Sequence, residues 1–436
     1  MTRPRGARAG PFLLIGLLVA PSTTNRAQAP PTDTAALGAP GADARPARLL
    51  PDQAQLAAAS PQLLARLRGG AFDYFRFVNR PWAERACQAF AGDLRSAPAA
   101  SLHGDAHVEQ YAFTSTARGL DDFDDSARGP LVVDLVRFLG SIELAARDRG
   151  WSAELDALAD RFLDGYQRGL ADSRYLPPDP TVVGRLRPLR ARNPEVFMAA
   201  AESVMFPFTK ADRAAMDASL RRLERLLRGV NPRLPARYLR VKKGGWARIG
   251  VGSALTPKVL LRVEGPGPSP RDDLIVEGKQ LSDLRGVSCL EIPRTAEALR
   301  VISGTEQIGR LRHEVLAVIP GLPESRLPGP EWWVRSWDAS YAEVRVDDYN
   351  GLEEFAEVVY DAGAQLGAGA VLVATPGAQA QARQLAQDTL ARLAHKARTV
   401  AHALVEELLV EWNAFREGAT PAARPGDPSM PARRVP

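Results

Sequence analysis

The stretch "LHGDAHVEQYAFTSTARGLDDFDDSARGP", Leu102 to Pro130, decides how this chain is read. It gathers two of the five histidines in the sequence, together with Asp105, Asp121, Asp122, Asp124 and Asp125. His103, Asp105 and His107 alternate, Glu109 and Gln110 follow, and the paired aspartates close the run. Leu102, Tyr111, Phe113 and Phe123 interleave with these charges, which sets the stretch apart from a solvated acidic loop.

Three chemistries compete for such a cluster. A calcium loop starting at Asp122 needs Gly at its sixth position and Glu at its twelfth. Ala127 and Val133 stand there, so that reading fails. A metal-dependent hydrolase would use His103 and His107 with the aspartates as ligands. The remaining histidines, His313, His395 and His402, have no ligand-like spacing to complete it. This reading, on His103, Asp105, His107, Asp122 and Asp124, stands as the runner-up. Phosphoryl transfer asks for a carboxylate that accepts the acceptor hydroxyl's proton, an amide shortly after it, and a second aspartate for the metal. "HGDAHVEQ" followed by "DDFDD" supplies those types in that order.

"HGDAHVEQYA", "LDDFDDSARGP" and "LVVDLVRFLGS" together resemble the bacterial domain-of-unknown-function family 2252. Its members carry G-D-x-H-x-x-N-F, then N-D-F-D-E, then G-P and W-D-x-x-R. The same stretch looks like the active-site region of aminoglycoside and choline kinases, which share the protein-kinase-like fold. The resemblance implies Asp105 as catalytic base, with His103 and His107 in the same catalytic loop. It implies Asp122 as the metal-binding aspartate, with Asp124 and Asp125 supporting it. Asp134 and Arg137, three residues apart, fit a structural pair on the following helix. One departure stands out: Gln110 occupies the usual metal-binding Asn position. Its extra methylene moves the carbonyl oxygen by roughly 1.5 Å, and Mg²⁺ demands near-octahedral geometry. A non-catalytic, ligand-binding pseudokinase is therefore carried beside the enzyme reading.

Outward from this stretch the chain changes character twice. Residues 51–230 read as helical, with apolar spacing of three and four at 53–78, 131–150, 151–172, 195–204 and 209–228. Residues 231–349 are β-rich: "RYLRVKKGG", "WARIGVGS", "PKVLLRVEG" and "DLIVEGKQL" are short runs broken by glycines. A helix is expected at 295–312, followed by strands in "EWWVRSWD" and "YAEVRV". Residues 350–418 return to helix, and 419–436 read as a disordered tail. Gly250, Gly252 and Ser253 mark a turn between strands, and Lys279 closes a later strand. A glycine turn over phosphates and a strand lysine are what a kinase small lobe needs. These four residues are the candidate nucleotide-binding set, and Glu297 and Glu306 are the candidate partners of Lys279. The expected fold is α+β and kinase-like, with a helical large lobe and a small antiparallel β lobe in circularly permuted order. The expected cofactors are Mg²⁺, held by Asp122, Asp124 and Gln110, and ATP or another nucleotide. The acceptor would be a small molecule or a protein.

Basic residues number 56 against 51 acidic ones, for a net charge of +5. Only six of the basic residues are lysines, and the arginines are spread along every segment. A nucleic-acid surface would cluster them, so no nucleic-acid partner is expected. Arg3, Arg5 and Arg8 precede the apolar run Pro11 to Ala20, and Ala27 and Ala29 frame an A-x-A site. That is the plan of a removable export signal over residues 1–29, which places the mature protein in the periplasm or outside the cell with no stable membrane span. A Pro/Ala/Gly-rich linker, 30–50, follows. Cys87 and Cys289 are the only cysteines. They are read as buried thiols, with pairing left open by the export signal.

Overall fold

Capping residues set the first helices. Asp52 accepts a hydrogen bond from the Gln55 amide ahead of α1 (Gln53–Ala59). Ser60 does the same for α2 (Pro61–Gly69), whose Pro61 sits where no helical N–H is lost. In this computed structural model the described residues are 51–94, 97–190, 193–247, 249–250, 256–322, 327–371 and 376–418. The expected export signal, linker and C-terminal tail, and Gly252 and Ser253, lie outside them. No described helix is long and apolar enough to cross a membrane.

The protein is mixed α+β with antiparallel sheets. After α3 (Ala71–Phe77) and α4 (Asn79–Ala89), the acidic stretch folds into four short strands: β1 (Ala99–Leu102), β2 (Tyr111–Phe113), β3 (Arg118–Leu120) and β4 (Ala127–Pro130). β1 pairs with β4, and β2 with β3. The buried helix α5 (Val132–Asp148) leaves this layer and packs into the main core with α6 (Leu155–Ala171). α7 (Thr181–Arg190) completes the segment.

The second layer is a six-stranded antiparallel sheet. In chain order it contains β5 (Met205–Pro207), β6 (Val241–Ala247), β7 (Lys258–Val263), β8 (Leu274–Gln280), β9 (Leu316–Leu322) and β10 (Leu327–Trp337). Their spatial order is β5-β6-β7-β8-β10-β9. Period-two alternation gives this sheet two unlike faces. Val259, Leu261, Val263, Val276, Trp332 and Val334 pack with Met216, Leu220 and Leu223 of α9 (Lys210–Val230). Leu260 and Ile275, on the other face, meet Phe197, Met198 and Ala201 of α8 (Pro194–Ser203). α8 and α9, grouped with the helical half by periodicity alone, thus cover the two faces of this sheet. That second face also carries Lys258, Glu277, Lys279 and Arg335, and its charged end is turned toward the acidic stretch.

α10 (Leu299–Ile308) lies between β8 and β9 in the chain, and β11 (Ala342–Glu343) pairs with β2. α11 (Leu352–Ala370) and α12 (Pro376–Arg416) return to the main core. α6 and α11 meet backbone to backbone. A Cβ on Gly165 would lie 2.2 Å from the Tyr360 carbonyl oxygen, and one on Gly367 2.0 Å from that of Tyr166. This close seam sets α11 beneath β3. There Gln365 bonds both backbone groups of Leu120, accepting from the amide at 2.7 Å and donating to the carbonyl at 3.3 Å.

Cys87 and Cys289, 202 residues apart, form a disulfide. It joins α4 to the segment after β8, and it overturns the expectation of two buried thiols.

Candidate functional site

Two loops and one sheet face make the site. The first loop, His103 to His107, follows β1 and is held from below by α5. Asp134, in the first turn of α5, accepts the His103 amide at 2.7 Å on Oδ2 and the Gly104 amide at 2.9 Å on Oδ1. Gly104 has φ +82°, and a Cβ there would lie 1.8 Å from the Asp125 carbonyl oxygen. Only glycine lets the two acidic loops approach this closely. Asn79 ties them together, donating 2.9 Å to the Gly104 carbonyl and 2.8 Å to Asp125 Oδ2.

Asp105 sits at the tip of this loop. Arg137, one turn along α5 from Asp134, donates to Asp105 Oδ1 through Nε at 2.9 Å and Nη2 at 2.8 Å. Its guanidinium also stacks 3.5 Å over the Phe75 ring. Burial pushes the Asp105 carboxyl up to about 7, against the pull of Arg137. The expected pairing of Asp134 with Arg137 is therefore replaced: each reaches into the loop instead, one to its backbone and one to its carboxylate.

His103 and His107 are both fully buried. The His103 ring contacts the Asp121 carbonyl at 2.9 Å through Nε2 and accepts the Asp105 amide at 3.3 Å through Nδ1. His107 lies edge-on to Phe72, with Nε2 3.8 Å from Asp105 Oδ2. Burial, with Arg76 and Arg137 near, holds the His107 ring well below its ordinary value and so neutral. Both histidines shape the loop from behind.

The second loop follows β3. Asp122 adopts a left-handed conformation, φ +65°, one that aspartate tolerates better than most non-glycine residues. Its Oδ1 lies 2.6 Å from the Lys279 ammonium, which also reaches Asp124 Oδ2 at 3.0 Å. Arg335 on β10 grips Asp121 with both oxygens at 2.9 Å, and Glu277 at 3.1 Å. Lys279 and Arg335 hold Asp122 well below the carboxylate range in spite of its burial. Burial and the Asp122 charge push Asp124 the other way. Burial opposes the Lys279 charge, but Asp122, Asp124 and Glu277 outweigh it and raise its affinity for the proton.

These groups share one cleft of about 930 Å³, lined among others by Asp105, Gln110, Asp122, Lys279 and Gly250. Gly250 has φ +92°, a backbone conformation suited to a turn. Residues 58–187, which include both loops, match the family model described as "Uncharacterized protein conserved in bacteria (DUF2252)". That segment is similar to this family. No curated protein and no solved structure matches the chain.

The matched segment thus supplies Asp105, Gln110, Asp122 and Asp124, while Lys279 comes from the sheet beyond it. Neither expected partner of Lys279 meets it. Glu297 lies 3.7 Å from Arg300, and Glu306 is exposed. α10 instead supports the second loop through Arg300, which donates to the carbonyls of Asp124 at 2.7 Å and Ser126 at 2.8 Å. Gln110 ties the loops through its backbone, its carbonyl accepting the Asp121 amide at 2.9 Å. Sequence reading missed Lys258, Glu277 and Arg335. Their signal was a charge recurring every second residue in otherwise apolar strands, as in Glu277 and Lys279.

Proposed function

We propose that this cleft binds Mg²⁺ with a nucleotide and that the protein is a kinase-like phosphotransferase, its small lobe following its catalytic loop in the chain. The observation that carries this reading is the meeting of Lys279 with Asp122 at 2.6 Å across 157 residues of sequence, in a cleft that Asp105 also lines. Support comes also from the order of parts: two strands with Gly250 between them, a third ending near its lysine, a helix, and two more strands.

The acidic oxygens of Asp122 and Asp124, with Gln110 beside them in the cleft, suit a hard divalent cation. Bound there, Mg²⁺ would offset charge on the phosphates. Lys279 would bind phosphate oxygens once released from the aspartates. Asp105 would take the acceptor's hydroxyl proton as the oxygen bonds to the terminal phosphorus and the bond to the leaving diphosphate breaks. Arg137 would keep Asp105 aimed throughout. The hydrolase alternative gains no support from the histidines, whose rings are buried behind the loop. The Cys87–Cys289 disulfide fits an oxidising compartment and so favours export.

Thermal unfolding tests the reading. ATP with Mg²⁺ should raise the midpoint, as any ligand selective for the native state does, while ATP alone should raise it less. Asp122→Ala should fold and lose the Mg²⁺-dependent part. No shift with either ATP or ADP in the wild-type protein would contradict the proposal.

A further inference from the structure

Lys258 opens β7 directly opposite Lys279 on β8. Opposed residues of an antiparallel pair put their side chains on the same face, with Cβ atoms about 5 Å apart, and like charges placed so repel. Both lysines are buried, Lys258 at 2% exposure and Lys279 at 3%. Two ammonium groups are held out of water this closely only where anions surround them.

The anions around them are shared. Lys279 contacts Asp122 and Asp124 and lies 3.8 Å from Glu277, which also takes Arg335 and the Trp337 indole N–H. Lys258 donates 2.6 Å to the Ile249 carbonyl, immediately before Gly250. Burial and the neighbouring Lys279 lower its hold on the proton. A divalent cation on Asp122 and Asp124 would draw both carboxylates away from Lys279. Two adjacent ammonium groups would then face the cleft that Gly250 also lines. That is an arrangement for neighbouring phosphoryl groups.

We infer that Lys258 is a second phosphate-binding residue, and that the Lys258–Lys279 pair selects a nucleoside di- or triphosphate over a monophosphate. The inference rests on the nucleotide reading above and adds the class of ligand to it. Calorimetric titration of ATP, ADP and AMP in the presence of Mg²⁺ tests it on wild type and Lys258→Met. The wild-type protein should bind ATP and ADP about 10-fold or more tighter than AMP. Lys258→Met should lose about 10-fold for ATP and ADP but under about 3-fold for AMP. Its melting temperature also registers the lost Ile249 hydrogen bond, so the ATP-to-AMP ratio decides. A merely structural lysine would leave the ATP-to-AMP preference intact, which overturns the inference. Should Lys258→Met not fold, Lys258→Gln keeps a donor for the Ile249 carbonyl and is judged by the same ratio. If wild type binds none of the three nucleotides, the nucleotide reading fails. The lysine pair is then judged by pyrophosphate against inorganic phosphate, and equal affinity or no binding overturns it.

Discussion

Arg137 places two donors on a single oxygen of Asp105, Nε at 2.9 Å and Nη2 at 2.8 Å from Oδ1. The second oxygen is left out of this clamp. The guanidinium itself is buried and fixed by the Phe75 carbonyl at 3.0 Å. A carboxylate held so has one oxygen for its anchor and one for chemistry, and the consequences can be measured.

The first concerns pH. Asp105 is pushed up to about 7 by burial, and a general base works only when ionised. Turnover should rise with pH and level off above about 7. Stability moves the opposite way. The folded protein holds this proton more tightly than the unfolded chain, where Asp titrates near 3.8. The Asp105 contribution should therefore fall as pH climbs from about 4 to about 7 and stay flat beyond. Melting temperature against pH, compared between wild type and Asp105→Asn, isolates that slope. A slope unchanged in the variant would refute the assignment.

Removing the clamp should act on both chemistry and fold. Arg137→Met leaves Asp105 without its partner, and breaking a buried ion pair from one side costs about 3–5 kcal/mol. Denaturant titration should show that loss. The pH–rate inflection should move upward, because the charge that favours the ionised carboxyl is gone. Arg137→Lys should recover little, since one ammonium cannot repeat the two-donor geometry.

Much of this was legible in the sequence and some was not, for identifiable reasons. The order of the two acidic loops and the strand ending near Lys279 could be read because motif chemistry is local, while Gly252 and Ser253 of the expected turn lie outside the described residues. Helices α5, α6, α8, α9 and α10 fell close to their expected ranges because their apolar periodicity is strong. Partners across the chain were not legible. The spacing of Asp134 and Arg137 suggested a pair, yet the helix N-terminus put Asp134 where loose backbone amides needed an acceptor. Lys258 and Arg335 belong to no local motif, and only the strand register sets them on one face. The disulfide joins positions with no local signal at all.

Gly104 is the narrowest point between the two loops. Gly104→Ala would drive a methyl into the Asp125 carbonyl, 1.8 Å from its oxygen, at a φ of +82° that alanine resists. The loops should part, and Mg²⁺-dependent nucleotide binding should fall about 10-fold or more while the far helical core holds. Calorimetry with circular dichroism checks both halves. Wild-type affinity in a folded Gly104→Ala protein would contradict the close-approach argument.

The disulfide links α4 to the segment after β8, and each of these carries a residue that lines the cleft. These are Arg80 and Asp283, and Arg80 donates 2.8 Å to the Asp283 carbonyl. A bridge across 202 residues stabilises mainly by restricting the unfolded chain. The double variant Cys87→Ser, Cys289→Ser should lose about 2–5 kcal/mol and bind nucleotide more weakly as that link loosens. Differential scanning calorimetry with and without reductant reads the first effect, and equal midpoints would deny the bridge a role.

The central claim is that Asp105 acts as a base on a phosphoryl-transfer reaction in this cleft. Its most direct test is to follow γ-labelled ATP with Mg²⁺ and count label released to water or moved to another group. Wild type should turn over label, and Asp105→Asn should bind nucleotide equally while its turnover falls about 100-fold or more. Turnover in Asp105→Asn equal to wild type, or a wild-type protein that binds ATP and never releases the label, would contradict it.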